Sequence, residues 1–96
     1  CSSDLLGQVR GQIDHLDGQL IAMLGQRQKL ALHAGQAKAH GGQPIQDPTR
    51  ERELLESRGA LAQKHGLDPV HVQGLFRHIM QGSRAAQSQA AGKKIS

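Results

Sequence analysis

Aromatic side chains are almost missing from this sequence: Phe76 stands alone, with no Trp and no Tyr. That removes the stacking platforms on which single-stranded nucleic acid is commonly held. It also leaves apolar burial to Leu, Ile, Val, Met and Ala, which suit helices better than strands. A single cysteine, Cys1, excludes an internal disulfide, and no His is arranged to activate it as a nucleophile. His33 and His40 share one helical face and His71 and His78 another, but no carboxylate or Cys completes a zinc-binding set. The glycines follow neither a P-loop nor a dinucleotide fingerprint. No apolar run approaches the ~20 residues of a membrane span, and no signal-peptide pattern is read. Neither a metal, a cofactor nor a membrane partner is expected.

What is present is a short basic chain. Its 96 residues, 36% hydrophobic, make one domain (1–96) and a core of modest side chains that is marginal alone. Oligomerisation is the natural remedy. A formal net charge of +4 and a pI near 9.9 favour anionic partners, whether nucleic acid, an anionic membrane or a small polyanionic metabolite. Cys1 as first residue fits a processed lipoprotein or a trimmed N-terminus; the expected location is cytoplasmic, with export the alternative.

Leu5, Val9, Ile13, Leu16, Leu20, Met23 or Leu24, Arg27, Leu30, Ala34 and Ala37 advance by threes and fours, predicting one helix from about Asp4 to Ala39. Ser2, Ser3 and Asp4 are N-cap candidates, and Gly41-Gly42 ends the helix. At 1.5 Å per residue it would be roughly 50 Å long, against a globule diameter nearer ~30 Å for such a chain. It must protrude unless a second chain packs along it. Gly7, Gly11, Gly18, Gly25 and Gly35 fall inside the stretch, each costing up to ~1 kcal/mol against Ala, yet the apolar period persists through them. In Pro44-Ile45-Gln46-Asp47-Pro48, Asp47 is placed to cap a second helix with Pro48 at its first position, running to about His65 and stopping at Gly66. Asp68-Pro69 repeats that start for a third helix with a stripe of Val72, Leu75, Phe76, Ile79 and Met80. The ordered helical core is expected over about 4–89, with 90–96 a flexible tail. The fold class is all-α, three helices per chain.

Some polar residues do not suit a plain bundle. Arg27 sits on the apolar stripe, and Lys38, eleven residues later, returns to within about 20° of the same face, ~16 Å along the axis. Both arms reach one small anion between them; alternatively both snorkel to solvent. Arg50 and Glu51 follow Asp47 at i+3 and i+4 and line one side of the first turn, which also reads as a cap with a solvated charged turn. Ser83 and Gln87 continue the face of Ile79 and Met80, and uncharged polar groups on a buried face need partners.

In order, these residues resemble the AroQ class of chorismate mutases, the all-helical kind. The resemblance runs from about Leu5 to Gln89. It is carried by Val9-Arg10-x-x-Ile13-Asp14-x-Leu16-Asp17, Leu20-Ile21-x-x-Leu24, Arg27-x-x-Leu30-Ala31 and Gly35-x-x-Lys38. It continues with Pro44-Ile45-x-Asp47-Pro48-x-Arg50-Glu51-Arg52-Glu53, Gly66-Leu67-Asp68, Leu75-Phe76 and Ser83-x-x-x-Gln87. The resemblance implies an intertwined helical homodimer with two sites, each built from both chains. It carries over Arg10, Arg27, Lys38, Asp47, Arg50, Glu51, Ser83 and Gln87 as substrate-binding positions. If Arg10 and Arg27 are both site residues, their separation of seventeen residues, ~25 Å and ~100° of rotation, requires Arg10 to come from the partner chain.

The activity so implied is the Claisen rearrangement of chorismate to prephenate, an isomerisation in the shikimate pathway to aromatic amino acids that requires no cofactor. Lys38 and Gln87 would donate to the ether oxygen. Arg27 and the partner's Arg10, with Ser83, would hold the carboxylates. Glu51, with the backbone at Asp47, would receive the ring hydroxyl, and Arg50 would orient Glu51. Lys38, Gln87, Glu51 and Arg27 are the expected catalytic set. An isochorismate-pyruvate lyase and a 4-amino-4-deoxychorismate mutase share the fold and are the alternatives, since Glu51 suits a hydroxyl or an ammonium at ring C4. A basic helical nucleic-acid-binding module is the remote one, with Arg27 on the apolar stripe speaking against it.

Overall fold

The computed structural model describes the backbone of residues 2–43 and 47–95, and side chains over 4–43 and 47–90. Pro44, Ile45 and Gln46, the start of the expected loop motif, lie outside the described residues. Three helices make up the described fold: α1 (Ser2–His40), α2 (Pro48–Lys64) and α3 (Pro69–Ile95), with no strand among the described residues. None of the helices is long and apolar enough to cross a membrane.

The helix ends follow from local chemistry. Gly42, at φ 73°, closes α1: its N–H donates to the Ala39 carbonyl (3.2 Å) and the Gln43 N–H to the Lys38 carbonyl (2.8 Å). Gly66, at φ 75°, closes α2 the same way, with bonds from Gly66 to Gln63 (3.1 Å) and from Leu67 to Ala62 (2.8 Å). Left-handed backbone at these two positions is what Gly supplies without strain. Asp47 caps α2 through Oδ1, which accepts from the Arg50 N–H at 3.1 Å, and Pro48 follows at the first position. Asp68 Oδ1 accepts from the Val70 N–H at 3.1 Å ahead of α3.

Two boundaries differ from the sequence reading. Helical backbone already begins at Ser2, so Ser2, Ser3 and Asp4 stand within the first turn of α1 rather than capping it; Asp4 there complements the helix dipole. α3 continues to Ile95, past the expected end of the helical core near Gln89. The Gln- and Ala-rich run after Arg84 favours helix, and Gly92 alone does not break it.

The chain divides into two units, Cys1–Leu30 and Ala31–Ser96. In the first, the large apolar side chains of α1 from Leu5 to Leu30 are 40–69% exposed, so nothing within the unit covers the stripe. In the second, α2 and α3 pack together around Leu54, Ala62 and Met80, the buried hydrophobic residues of the described chain. The Arg58 guanidinium lies 5.6 Å from the centre of the Phe76 ring and covers it. Leu75, expected on the packed stripe of α3, is exposed. The packed face is rotated toward Gln73, Phe76, Met80, Arg84 and Gln87, spaced by threes and fours.

Two glutamines of α3 tie this unit together by one device. Gln73 Nε2 donates to the Leu55 carbonyl (3.0 Å) across Gly59, and Gln87 Nε2 donates to the Ala31 carbonyl across Gly35. In each case the acceptor lies four residues before the glycine. A Cβ at Gly59 would stand 2.7 Å from Gln73 Nε2, and one at Gly35 2.9 Å from Gln87 Cγ. The missing side chain is what lets each amide reach the neighbouring backbone.

Candidate active site

The second unit holds six of the eight expected site residues. Lys38 is half-buried in the last turn of α1, where the Gly42 closure fixes the end of the helix. Asp47 and Arg50 are exposed at the start of α2, with the Asp47 carboxylate engaged as the cap and its carbonyl accepting from the Glu51 N–H at 3.0 Å. Glu51 is half-buried and forms an ion pair with Arg84 of α3. Ser83 is half-buried, its hydroxyl donating to the Ile79 carbonyl at 3.1 Å. Gln87, one turn on, is 8% exposed.

Gln87 and Lys38 are brought to one stretch of α1. The Gln87 side chain lies over Ala31 and Gly35, and Lys38 follows Gly35 by three residues, the spacing that continues a helical face. A neutral amide donor thus lies one helical turn before the residue that carries an ammonium. The Glu51–Arg84 pair belongs to a cleft of about 230 Å³ lined also by Leu55, Arg77, Met80 and Gln81. Arg10 and Arg27 belong to the first unit, Arg10 exposed and Arg27 half-buried.

The family model described as chorismate mutase type II matches residues 9–88 of this chain. The chain belongs to the chorismate mutase type II family. It is 37% identical over 86 residues to the bifunctional chorismate mutase/prephenate dehydratase of Escherichia coli (strain K12), covering 90% of this chain and 22% of that protein. It is 33% identical over 92 residues to the T-protein of Haemophilus influenzae, covering 96% of this chain and 24% of the relative. The corresponding bifunctional protein of Buchnera aphidicola (subsp. Schizaphis graminum) is 33% identical over 91 residues. The chain therefore spans less than a quarter of the length of these relatives.

Arg84, the partner of Glu51 in that cleft, went unassigned in the sequence reading because it falls inside the Ser83-x-x-x-Gln87 spacing. The signal was the one that singled out Arg27: a cation on a packed stripe, here between Met80 and Gln87. Gly35 was read only as a cost to the helix, whereas it makes room for Gln87. Gly35→Ala is expected to keep the helix, since Ala raises its propensity by up to ~1 kcal/mol. It must push Gln87 off Ala31, so the chorismate turnover proposed below is expected to fall about tenfold with the far-UV circular dichroism unchanged. Undiminished kcat in this variant would show that Gln87 is not needed where it lies.

Proposed function

We propose that this chain rearranges chorismate to prephenate, in a homodimer whose first helices pair and whose sites draw residues from both copies. One observation carries the reading: the buried Gln87 amide of α3 bonds to Ala31 and lies over Gly35 of α1, three residues before half-buried Lys38. Family membership over residues 9–88 supports it, as does the uncovered apolar stripe of α1, the kind of surface a second copy buries.

The rearrangement breaks an ether C–O bond and forms a C–C bond within one molecule, so the protein's tasks are conformational and electrostatic. Lys38 and Gln87 donate to the ether oxygen as it gains charge. Gln87 gives up little by turning to the substrate, because the Ala31 carbonyl keeps its ordinary helical partner, the Gly35 N–H. Arg27, the partner's Arg10 and Ser83 hold the two carboxylates in the reactive diaxial conformer. Glu51 accepts the ring hydroxyl, and Arg50 beside it adds positive potential for a dianion.

Purified protein given chorismate is expected to consume it, followed by its loss of ultraviolet absorbance, and to release prephenate. Arg27→Ala is expected to lower kcat/KM by at least about a hundredfold, since it removes a charge-assisted carboxylate contact. Pyruvate as the product would replace this reading with the lyase. Silence on chorismate, with turnover of the amino analogue, would replace it with the amino-substrate mutase.

A further inference from the structure

Glu51 does not stand alone in its cleft. Its Oε1 accepts from Arg84 Nη1, and Arg77, about two helical turns earlier on α3, lines the same cleft. Both members of the pair are partly exposed, at 30% for Arg84 and 25% for Glu51, and an ion pair so placed adds little stability. An apolar residue would serve the packed stripe between Met80 and Gln87 better. The arginine needs a reason other than packing.

We propose that Arg84 decides which ring substituent the site accepts at C4, admitting a neutral hydroxyl and rejecting an ammonium. This rests on the chorismate reading and sharpens it. A bare carboxylate accepts from either group and prefers the ammonium, because that contact adds charge attraction to the hydrogen bond. A carboxylate already neutralised by a guanidinium keeps a second oxygen to accept a hydroxyl proton. An ammonium brought to the same carboxylate meets the positive charge of Arg84 at close range, in a cleft that Arg77 also lines. The substituent at C4 is remote from the bonds that break and form. Its interaction is therefore the same in the ground and transition states, and discrimination appears in KM rather than kcat.

The test is steady-state kinetics of the full chain and of Arg84→Met and Arg84→Lys on chorismate and on 4-amino-4-deoxychorismate. The wild type is expected to favour chorismate by about tenfold or more in kcat/KM. Arg84→Met is expected to shrink that preference at least about tenfold by lowering KM for the amino substrate, and Arg84→Lys, which keeps the charge, to retain it. If Arg84→Met fails to fold, Arg84→Gln makes the same comparison. A preference unmoved in the neutral variants overturns the proposal, as does an equal rise in KM for both substrates, which would mean that Arg84 holds a carboxylate they share. Wild-type protein inert on chorismate defeats the underlying chorismate reading, whereas an active wild type with an unmoved preference defeats only the role of Arg84.

Discussion

Lys38→Ala is expected to lower kcat about 10²–10³-fold while KM changes by less than tenfold. The asymmetry follows from where charge develops. In chorismate the ether oxygen is neutral and a weak acceptor; as its C–O bond stretches it becomes enolate-like and gains negative charge. An ammonium aimed at that oxygen therefore binds the transition state better than the substrate, and only such differential binding raises kcat. Arg27→Ala would remove the contact proposed with a carboxylate that is charged throughout, so more of its loss is expected in KM. The Lys38 variant is also a clean one structurally. The Schellman closure of α1 uses the Lys38 backbone carbonyl, which Ala retains, and Ala is the best helix former. Circular dichroism should thus match the wild type. Steady-state kinetics at saturating chorismate decide the matter, and a kcat within threefold of wild type would remove Lys38 from the ether oxygen.

The helices were legible because their punctuation is local chemistry. Asp47-Pro48 and Asp68-Pro69 state their starts, and Gly42 and Gly66 their ends, through hydrogen bonds that span only a few residues. The all-α class follows from the same signals together with the stripe of α1. The ordered spacing of the family resemblance singled out Glu51 and Gln87, which the structure half-buries and buries. What could not be read was which partners those side chains choose. The Glu51–Arg84 pair joins positions thirty-three apart, and the Gln87–Ala31 bond joins positions fifty-six apart. Such pairings depend on how α2, α3 and the end of α1 pack, which periodicity along one helix does not contain. The glycine at position 35 shows the same limit: propensity scores it as a defect, and only the neighbouring helix reveals it as the space Gln87 occupies. The rotation of α3 that exposes Leu75 and buries Gln87 has a related cause. Hydrophobicity alone favoured Leu75, but polar partners on the opposing backbone hold Gln73 and Gln87 in the packed face.

Mixing two inactive variants is expected to restore activity. In the proposed homodimer, Arg10→Ala and Lys38→Ala would each remove one essential group from both sites. In a heterodimer with sites built from both chains, one site combines the intact Lys38 of one copy with the intact Arg10 of the other, while the second site carries both lesions. Random reassortment makes half of the dimers mixed, each with one working site of two, so about a quarter of wild-type kcat is expected from an equimolar, co-refolded mixture. If Arg10 and Lys38 served the same copy's site, every site in every dimer would carry a lesion, and mixing would restore nothing. The expected sharing has a geometric root in α1 itself. The seventeen residues from Arg10 to Arg27 span ~25 Å of helix, more than one small dianion covers, so Arg10 reaches the substrate held by Arg27 only from a second helix laid alongside. The exposed stripe from Leu5 to Leu30 is the surface on which that second helix would lie, and Arg27 stands on it. Introducing charge there, as in Leu20→Glu, should disperse the dimer and abolish the recovery, because a carboxylate cannot be buried unpaired between two apolar faces. Recovery that persists in monomeric Leu20→Glu protein would mean that Arg10 and Lys38 meet in some other way, and the paired first helices would have to be given up.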